Sequence, residues 1–110
     1  GSQLNYVKVS GGSIVSKRLV NYPGQLNIHD VPNFTLSHCV IENNSVGDDA
    51  LHIAYSNGRV SDCVFRDTAF DALDMDIVDV EVSNSRFVNS GNDAIDLMSS
   101  IAILKNIEIA

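Results

Sequence analysis

A short motif of aspartate, alanine and alternating large apolar residues recurs three times in this chain, as DALHI, DALDM and DAIDL. Ala50, Ala72 and Ala94 occupy the same place in the three copies and follow one another at equal intervals of about 22 residues. A fixed interval of this size is typical of an array in which each repeat forms one structural unit and packs against its neighbours. The repeat therefore favours a solenoid over an ordinary globular topology.

A second set of apolar positions repeats in step with the first. Val60, Val82 and Leu104 follow one another at the same interval as the alanines, and Leu36 precedes Val60 by a slightly longer one. The longer interval contains NNSVGDD, which we interpret as a turn with two additional residues. Because both sets give the same period, the array is expected to extend over most of the chain.

Within each repeat, apolar and polar residues mostly alternate, as in Leu73-Asp74-Met75. A period of two indicates strands, and no window carries a helical stripe. Asn, Asp, Ser and Gly cluster between the apolar runs, where turns need residues that tolerate left-handed backbone or bond their own main chain. A repeat of this length accommodates three short strands and three turns, which is one coil of a parallel β-helix.

The segments VIENN, DDALHI, VFRDT, DALDM and RFVNSGNDAIDL resemble repeats of the pectate-lyase-like superfamily, as found in larger bacterial surface-associated proteins. The resemblance implies an all-β fold, a right-handed parallel β-helix solenoid of about four coils with a 22-residue period. Residues 1–2 look like an expression-tag remnant. Residues 3–33 are expected to form an irregular N-terminal coil with an excursion that covers one edge, and residues 34–110 the regular coils.

Stacking converts the alignment into predicted contacts, because equivalent residues of successive coils lie about 4.8 Å apart. Three inward ladders are expected to form the core: Leu51, Leu73 and Ile95; Ile53, Met75 and Leu97; and Ile41, Phe65 and Phe87. Asn43, Asp67 and Asn89 share one turn position, where stacked amides or carboxyls can bond backbone groups of the neighbouring coil. These ladders explain most of the stability without a ligand.

Cys39 and Cys63 occupy equivalent positions in adjacent coils. Stacking would place their Cα atoms about 4.8 Å apart, which permits a disulfide. Cysteine is also a common small buried residue, so a reduced inward pair is the alternative. The redox compartment therefore stays open.

The same alignment places polar residues in two outward columns. One column contains Asp49, Asp71 and Asp93, and the other contains His52, Asp74 and Asp96. Carboxylates about 4.8 Å apart repel by roughly 1 kcal/mol in water and by more when partly buried, so a cation is one expected counterweight. Ca²⁺ takes oxygen ligands, and the resemblance implies calcium because lyases of the superfamily bind it through aspartates on one outer face. No cofactor is required by the sequence.

The candidate metal ligands are thus the five aspartates of the two columns, Asp49, Asp71, Asp74, Asp93 and Asp96. The alternative is that the first column caps backbone amides at a turn and the second is solvated. A lone outward histidine such as His52 is also expected to be solvated. Asp76 stands nearby, and the alignment does not assign His29 or His38 to a site.

A catalytic alternative follows from GDDALHI, which is similar to a segment of polygalacturonase-type glycoside hydrolases. By position, Asp48 and Asp49 after Gly47 would be the general acid and base. If the chain is an enzyme, the candidate residues are Asp48, Asp49, His52, Asp74 and Asp96. The other motifs of that family, Asn-Thr-Asp, Gly-His-Gly and Arg-Ile-Lys, do not occur here, which favours a non-catalytic role.

The net charge of −7 argues against a nucleic-acid partner. No apolar run is long enough for a membrane-spanning segment. The apolar final segment IAILKNIEIA favours either continuation in a longer protein or stacking of coil ends between copies, a homo-oligomer. The expected function is a structural or binding module for carbohydrate or Ca²⁺ in a larger secreted or surface-associated protein. The alternatives are a polysaccharide-active hydrolase, lyase or epimerase, and a self-associating solenoid.

Overall fold

The chain folds as a parallel β-solenoid of about four turns in a computed structural model that describes residues 3–5, 8–10, 15–17, 20–22, 24–42 and 49–110. The described residues contain strands and turns and no helix. Equivalent strands of successive coils pair one repeat apart, as the sequence predicts. Asn43 and the Gly47-Asp48 pair lie outside the described residues, as do residues 1–2.

The described strands are short, with two exceptions. They are β1 (Gln3–Asn5), β2 (Lys8–Ser10), β3 (Val15–Lys17), β4 (Val20–Tyr22), β5 (Gly24–His29), β6 (Phe34–Ser37), β7 (Val40–Glu42), β8 (Asp49–Ala54), β9 (Asn57–Ser61), β10 (Val64–Thr68), β11 (Leu73–Asp76), β12 (Asp79–Ser90), β13 (Ile95–Met98) and β14 (Ile101–Ile109). β12 and β14 are long because each continues across a corner between two faces of the coil.

The strands stack in parallel on three faces. The first face contains β1, β6, β9 and the N-terminal halves of β12 and β14, and the second contains β2, β7, β10 and the C-terminal halves. The third face is a separate four-stranded sheet in the order β13-β11-β8-β5, which we call the groove sheet. Leu36, Val60, Val82 and Leu104 are direct neighbours on the first face, which confirms the second repeat register.

The three predicted ladders form with the expected register. On the groove sheet, Leu73 pairs with Leu51 and Ile95. Phe65 pairs with Ile41 and Phe87, and the two phenyl rings lie 4.7 Å apart between centroids. Residues of these ladders are fully buried in the two middle coils. Each such side chain contributes roughly 1.5–3 kcal/mol by transfer from water.

The prediction that Leu97 is a core residue is wrong. Leu97 pairs with Met75 in the expected ladder, but 44% of its surface is exposed. The reason is that β13 is the outermost strand of the groove sheet and has a strand neighbour on one side only. Met98 is exposed because it occupies an outward position of β13, paired with Asp76, whereas Leu104 pairs with the core residue Val82 and is exposed because β14 pairs, among the described strands, only with β12.

The N-terminal region contributes one strand, β5, to the groove sheet of the coils. β5, within the region 3–33 that is expected to be irregular, joins the groove sheet in parallel register with β8, pairing Leu26 with Leu51 and Ile28 with Ile53. β3 and β4 form an antiparallel pair apart from the coils. Among the described residues, none belongs to a helix of the length and apolarity that crossing a bilayer demands.

Equivalent turn residues of successive coils stack in columns at the corners of the solenoid. His38, Asp62, Asn84 and Asn106 all have positive φ, as do Asp67 and Asn89. Asn89 donates through Nδ2 to Asp67 Oδ1 at 3.0 Å, so the stacked contact at this turn position joins two side chains, whereas the sequence predicted a bond to backbone. Asn106 donates in the same way to Asn84 Oδ1 at 2.8 Å. Asn, Asp and His are the residues that tolerate left-handed backbone best, apart from glycine.

Cys39 and Cys63 are both buried and both free thiols. Each donates to the carbonyl two residues before it, at 3.2 Å, to Ser37 and Ser61 respectively. Burial raises the pKa of Cys63 to about 12, so its thiol stays protonated at neutral pH. Of the two alternatives left by the sequence, the structure contains the reduced inward pair.

Candidate functional site: the acidic groove

The second predicted column lies on the groove sheet with the expected register. His52 pairs with Asp74, and Asp74 pairs with Asp96, on β8, β11 and β13. Asn27 of β5 continues this column on the other side of His52. Alternation along each strand directs these side chains away from the buried Leu51 and Leu73 ladder. Stacking three coils therefore assembles one polar surface from residues that are one repeat apart in the chain.

His52 is buried, so the expectation of a solvated histidine is wrong. Its side chain is only 9% exposed. Nε2 lies 2.8 Å from Asp76 Oδ2 and 3.8 Å from Asp74 Oδ2, and Nδ1 lies 2.7 Å from His29 Nε2. The two imidazole rings meet edge to face, with centroids 4.8 Å apart. His29, His52 and Asp76 thus form a continuous hydrogen-bond chain.

His29 lies at the opposite end of this hydrogen-bond chain from Asp76. Burial, and secondarily the neighbouring His52, lower the pKa of His29 below its ordinary value. His29 is therefore neutral at pH 7. A neutral His29 can donate from Nε2 to His52 Nδ1, and His52 can then donate from Nε2 to Asp76. In this arrangement every nitrogen in the two contacts has a donor or acceptor partner.

Asp49 and Asp74 form a second contact between coils, a hydrogen bond between two carboxyl groups. Burial, reinforced by this hydrogen bond, raises the pKa of Asp49 to about 8. Burial and the charge of Asp76 also raise the pKa of Asp74. Two carboxylates in contact cannot both ionise without a cation, so the pair holds one proton at neutral pH, and Asp49 is the donor.

The remaining aspartates divide between capping and exposure. Asp71 is buried, and its Oδ1 accepts from the backbone N–H of Asp93 at 3.0 Å and from Nδ2 of Asn92 at 2.9 Å. Asp71 therefore caps a turn of the next coil, as the alternative interpretation of this column expects. Asp93 is exposed. Burial and the nearby carboxyls of Asp71 and Asp74 raise the pKa of Asp96.

A groove of about 570 Å³ runs beside the histidine chain. Its polar wall is formed by His29, Asp30, His52, Asp74, Asp76 and Asp96. Its rim contains Tyr55, Ile77, Met98 and Ser99. We call this surface the acidic groove. It combines a carboxylate and imidazole wall with exposed apolar side chains on its rim.

The rim has an unusual backbone. Tyr55, Ile77 and Ser99 form one turn column, and their φ angles are 51°, 55° and 50°. A left-handed conformation costs roughly 1–2 kcal/mol for an ordinary L-residue, and a bulky or β-branched side chain there is an outlier. The other turn columns use Asn, Asp or His at this conformation. Strain of this kind clusters at ligand-binding sites, where side-chain identity is needed for a purpose other than stability.

Among the residues whose side chains the structure describes, the ion pairs of arginine and lysine lie away from the groove. Within this part of the chain, Arg66, Arg86 and Lys105 pair with glutamates on the eight-stranded sheet, away from the groove. His52 is the partner of the groove carboxylates. The negative potential of the groove therefore favours cationic or hydrogen-bond-donating ligands.

Three groups of side chains in this region have the spacing of metal ligands. They are His52, Asp74 and Asp76; Asp49, Asp71 and Asp74; and Asp71, Asp93 and Asp96. In each group the potential ligand atoms lie within 4.8 Å of one another. The five aspartates expected to bind calcium are thus brought together in overlapping groups, although Asp71 is engaged as a cap.

The catalytic alternative meets a geometric obstacle at Asp49. Its predicted partner Asp48 lies outside the described residues, and the described partner of Asp49 is Asp74. Carboxyls that act on opposite sides of a glycosidic bond are about 5–9.5 Å apart. The hydrogen-bonded carboxyls of Asp49 and Asp74 leave no room for a sugar between them, so they cannot flank a scissile bond.

His29, and the position of Asp76 in the site, were not predicted from the sequence. The signal for His29 was the likeness of QLNIHD to ALHIAY, which aligns Leu26 with Leu51 and Ile28 with Ile53. This first interval is longer than the regular repeat, which hid the match. Asp76 is displaced by two residues from the Asp74 column and contacts His52 across the strand pair.

Comparisons of this chain with protein-family models, with curated proteins and with solved structures return no match.

Proposed function

We propose that this chain is a carbohydrate-binding module, acting through the acidic groove within a larger secreted or surface-associated protein. The observation that carries the proposal is the rim, where Tyr55 and Ile77 are exposed on left-handed backbone beside the polar wall. The resemblance of the repeats to pectate-lyase-like β-helices adds support, since that superfamily acts on polysaccharides.

A sugar ring fits this combination of groups. It presents hydroxyls around its edge, and the carboxylates of Asp74 and Asp76 are strong acceptors for them. It also presents an apolar C–H face, which an exposed tyrosine ring such as Tyr55 can cover while its hydroxyl stays in water. Residues of four successive coils line the groove, which suits a chain of sugars better than a single unit.

The charge of the groove predicts the class of sugar. Ionised carboxylates repel uronates, so neutral or amino sugars should bind in the absence of metal ions. Acidic polysaccharides should bind only when a divalent cation bridges the two sets of carboxylates. A neutral-sugar preference with EDTA present would distinguish this groove from a calcium-dependent uronate site.

Isothermal titration calorimetry with neutral, amino and uronate oligosaccharides, each with EDTA and with Ca²⁺, tests the proposal. Tyr55→Ala should weaken binding of the best ligand by about 1–2 kcal/mol, as expected for a contact aromatic. Phe70→Ala is the matched control, since Phe70 is an exposed aromatic residue outside the groove. Equal effects of the two substitutions, or no binding by any sugar class, would refute the proposal.

A further inference from the structure

The contact between His52 and the two carboxylates beside it has the chemistry of a transition-metal site. His52 Nε2 lies 2.8 Å from Asp76 Oδ2 and 3.8 Å from Asp74 Oδ2, and the three ligand atoms lie within 4.8 Å of one another. A metal ion binds nitrogen and oxygen ligands at about 2.0–2.2 Å. Two ligand atoms on the same ion therefore lie about 3–4 Å from each other, close to the two distances measured here. Small side-chain adjustments would bring all three onto one ion.

The exposure of the three side chains increases from His52 to Asp74 to Asp76. His52 is 9% exposed, Asp74 is 19% exposed and Asp76 is 32% exposed. The imidazole is therefore fixed in the wall, while the carboxylates lead outward to the groove of about 570 Å³. An ion held by three protein ligands here would keep an open side for water or another ligand, which is the arrangement of accessible metal sites.

The other nitrogen of His52 supplies the second observation, and it is independent of the acidic cluster. Nδ1 lies 2.7 Å from Nε2 of His29, which β5 places one coil before His52. A metal-bound imidazole almost always donates its second N–H to an acceptor that fixes the tautomer and the ring orientation. When Nε2 of His52 binds a metal ion, Nδ1 of His52 carries the proton, and His29 Nε2 is in position to accept a hydrogen bond from it.

The ligand set indicates which ion fits. One imidazole and two carboxylates, without a thiolate, suit a borderline ion such as Zn²⁺, and the imidazole selects against Ca²⁺ and Mg²⁺. The five-aspartate calcium site expected from the sequence uses oxygen ligands only and does not include His52. The two hypotheses therefore differ in both residues and metal.

We propose that His52, Asp74 and Asp76 bind a divalent transition-metal ion, with Zn²⁺ as the probe. His29 orients the ring of His52 through the hydrogen bond to Nδ1. The metal site shares Asp74 and Asp76 with the proposed sugar site, but Zn²⁺ binding is measured without sugar, so it can be tested whether or not the groove binds carbohydrate. His52, Asp74 and Asp76 are ligands, whereas His29 is a positioning residue.

The test is calorimetric titration of tag-free protein with Zn²⁺, repeated in a large excess of Ca²⁺. Zn²⁺ should bind with one-to-one stoichiometry and should persist in Ca²⁺. Asp76→Asn should weaken binding about tenfold or more, and His29→Leu by about 10–100-fold through the loss of ring orientation. Asp62→Asn is the matched control, because Asp62 lies 3.9 Å from an exposed histidine, His38, and the substitution removes the same charge.

Circular dichroism establishes that each variant is folded, and NMR of the unaltered protein provides a test that needs no variant. Zn²⁺ should shift the ring nitrogen resonances of His52 and His29 and leave those of His38 unchanged. The proposal is overturned if Zn²⁺ gives no saturable binding, if Asp62→Asn weakens binding as much as Asp76→Asn, if Ca²⁺ displaces Zn²⁺ at comparable concentration, or if His38 is the histidine that responds.

Discussion

The carboxyl group of Asp49 donates a hydrogen bond to the carboxyl group of Asp74 in the next coil. The contact joins the two outward columns of the solenoid, since Asp49 belongs to the turn column and Asp74 to the column of His52. The contact also makes the stability of the fold depend on pH, because Asp49 and Asp74 stay in contact only while they share one proton.

Stability is predicted to fall as pH rises toward 8. The pKa of Asp49 is about 8 in the folded protein, against 3.8 for an unperturbed aspartate. The folded state therefore holds a proton that the unfolded state has released, and the stabilisation is present below about pH 4 and lost as pH rises through the folded pKa. Each unit of pH in this window removes at most about 1.4 kcal/mol for one proton.

Asp49→Asn checks this prediction, because an amide can donate to Asp74 at every pH. Melting temperatures measured across this window should decline less steeply for Asp49→Asn than for the unaltered protein. Asp79→Asn, on an exposed residue of β12, serves as the control and should leave the slope unchanged. Parallel curves for all three proteins would contradict the shared-proton account.

Ile77→Asn is predicted to stabilise the protein by about 1 kcal/mol, because Ile77 is half exposed and has a φ of 55°, so asparagine removes much of the left-handed strain and loses little burial. Asn84→Ile is the reverse substitution at an equivalent turn, with φ 49°, and should destabilise by a similar amount. Chemical denaturation measures both. If Ile77 serves ligand binding, Ile77→Asn should also weaken sugar affinity.

The fold was largely predictable from the sequence, because stacking converts the repeat interval directly into a contact. The pairing of Leu51, Leu73 and Ile95 required no information beyond the alignment. Burial was less predictable, since Leu97 has the pattern of a core residue and is exposed by its place in the outermost strand. The histidine chain was not predictable, because His29 lies in a coil with a different interval and Asp76 contacts His52 diagonally.

Arg66→Ala is predicted to destabilise the protein by about 1–3 kcal/mol, because the substitution leaves a buried carboxylate without its cation. Arg66 Nη2 lies 2.6 Å from Oε1 of Glu42, whose side chain is 8% exposed. Arg86→Ala breaks a similar pair with Glu108, which is 66% exposed, and should cost less than about 1 kcal/mol. Urea denaturation of both variants makes the comparison, and equal losses would show that burial of Glu42 is unimportant.

The two cysteines are predicted to be protected thiols. Both are buried, and burial holds the pKa of Cys63 at about 12, so the reactive thiolate is scarce at pH 8. Iodoacetamide should label neither residue in the folded protein and both in denaturant, and a reducing agent should leave the melting temperature unchanged. A fall in melting temperature on reduction would reveal a disulfide between Cys39 and Cys63.

The central claim is that the acidic groove, and no other corner of the solenoid, receives a ligand. The most direct measurement is a titration of backbone amide NMR signals with the oligosaccharide that binds best. The account predicts that Tyr55, Ile77 and Ser99 shift together, while Asp62, Asn84 and Asn106, which form an equivalent left-handed turn column, do not. Shifts at the second column, or at neither, would contradict the assignment of the groove as the binding site.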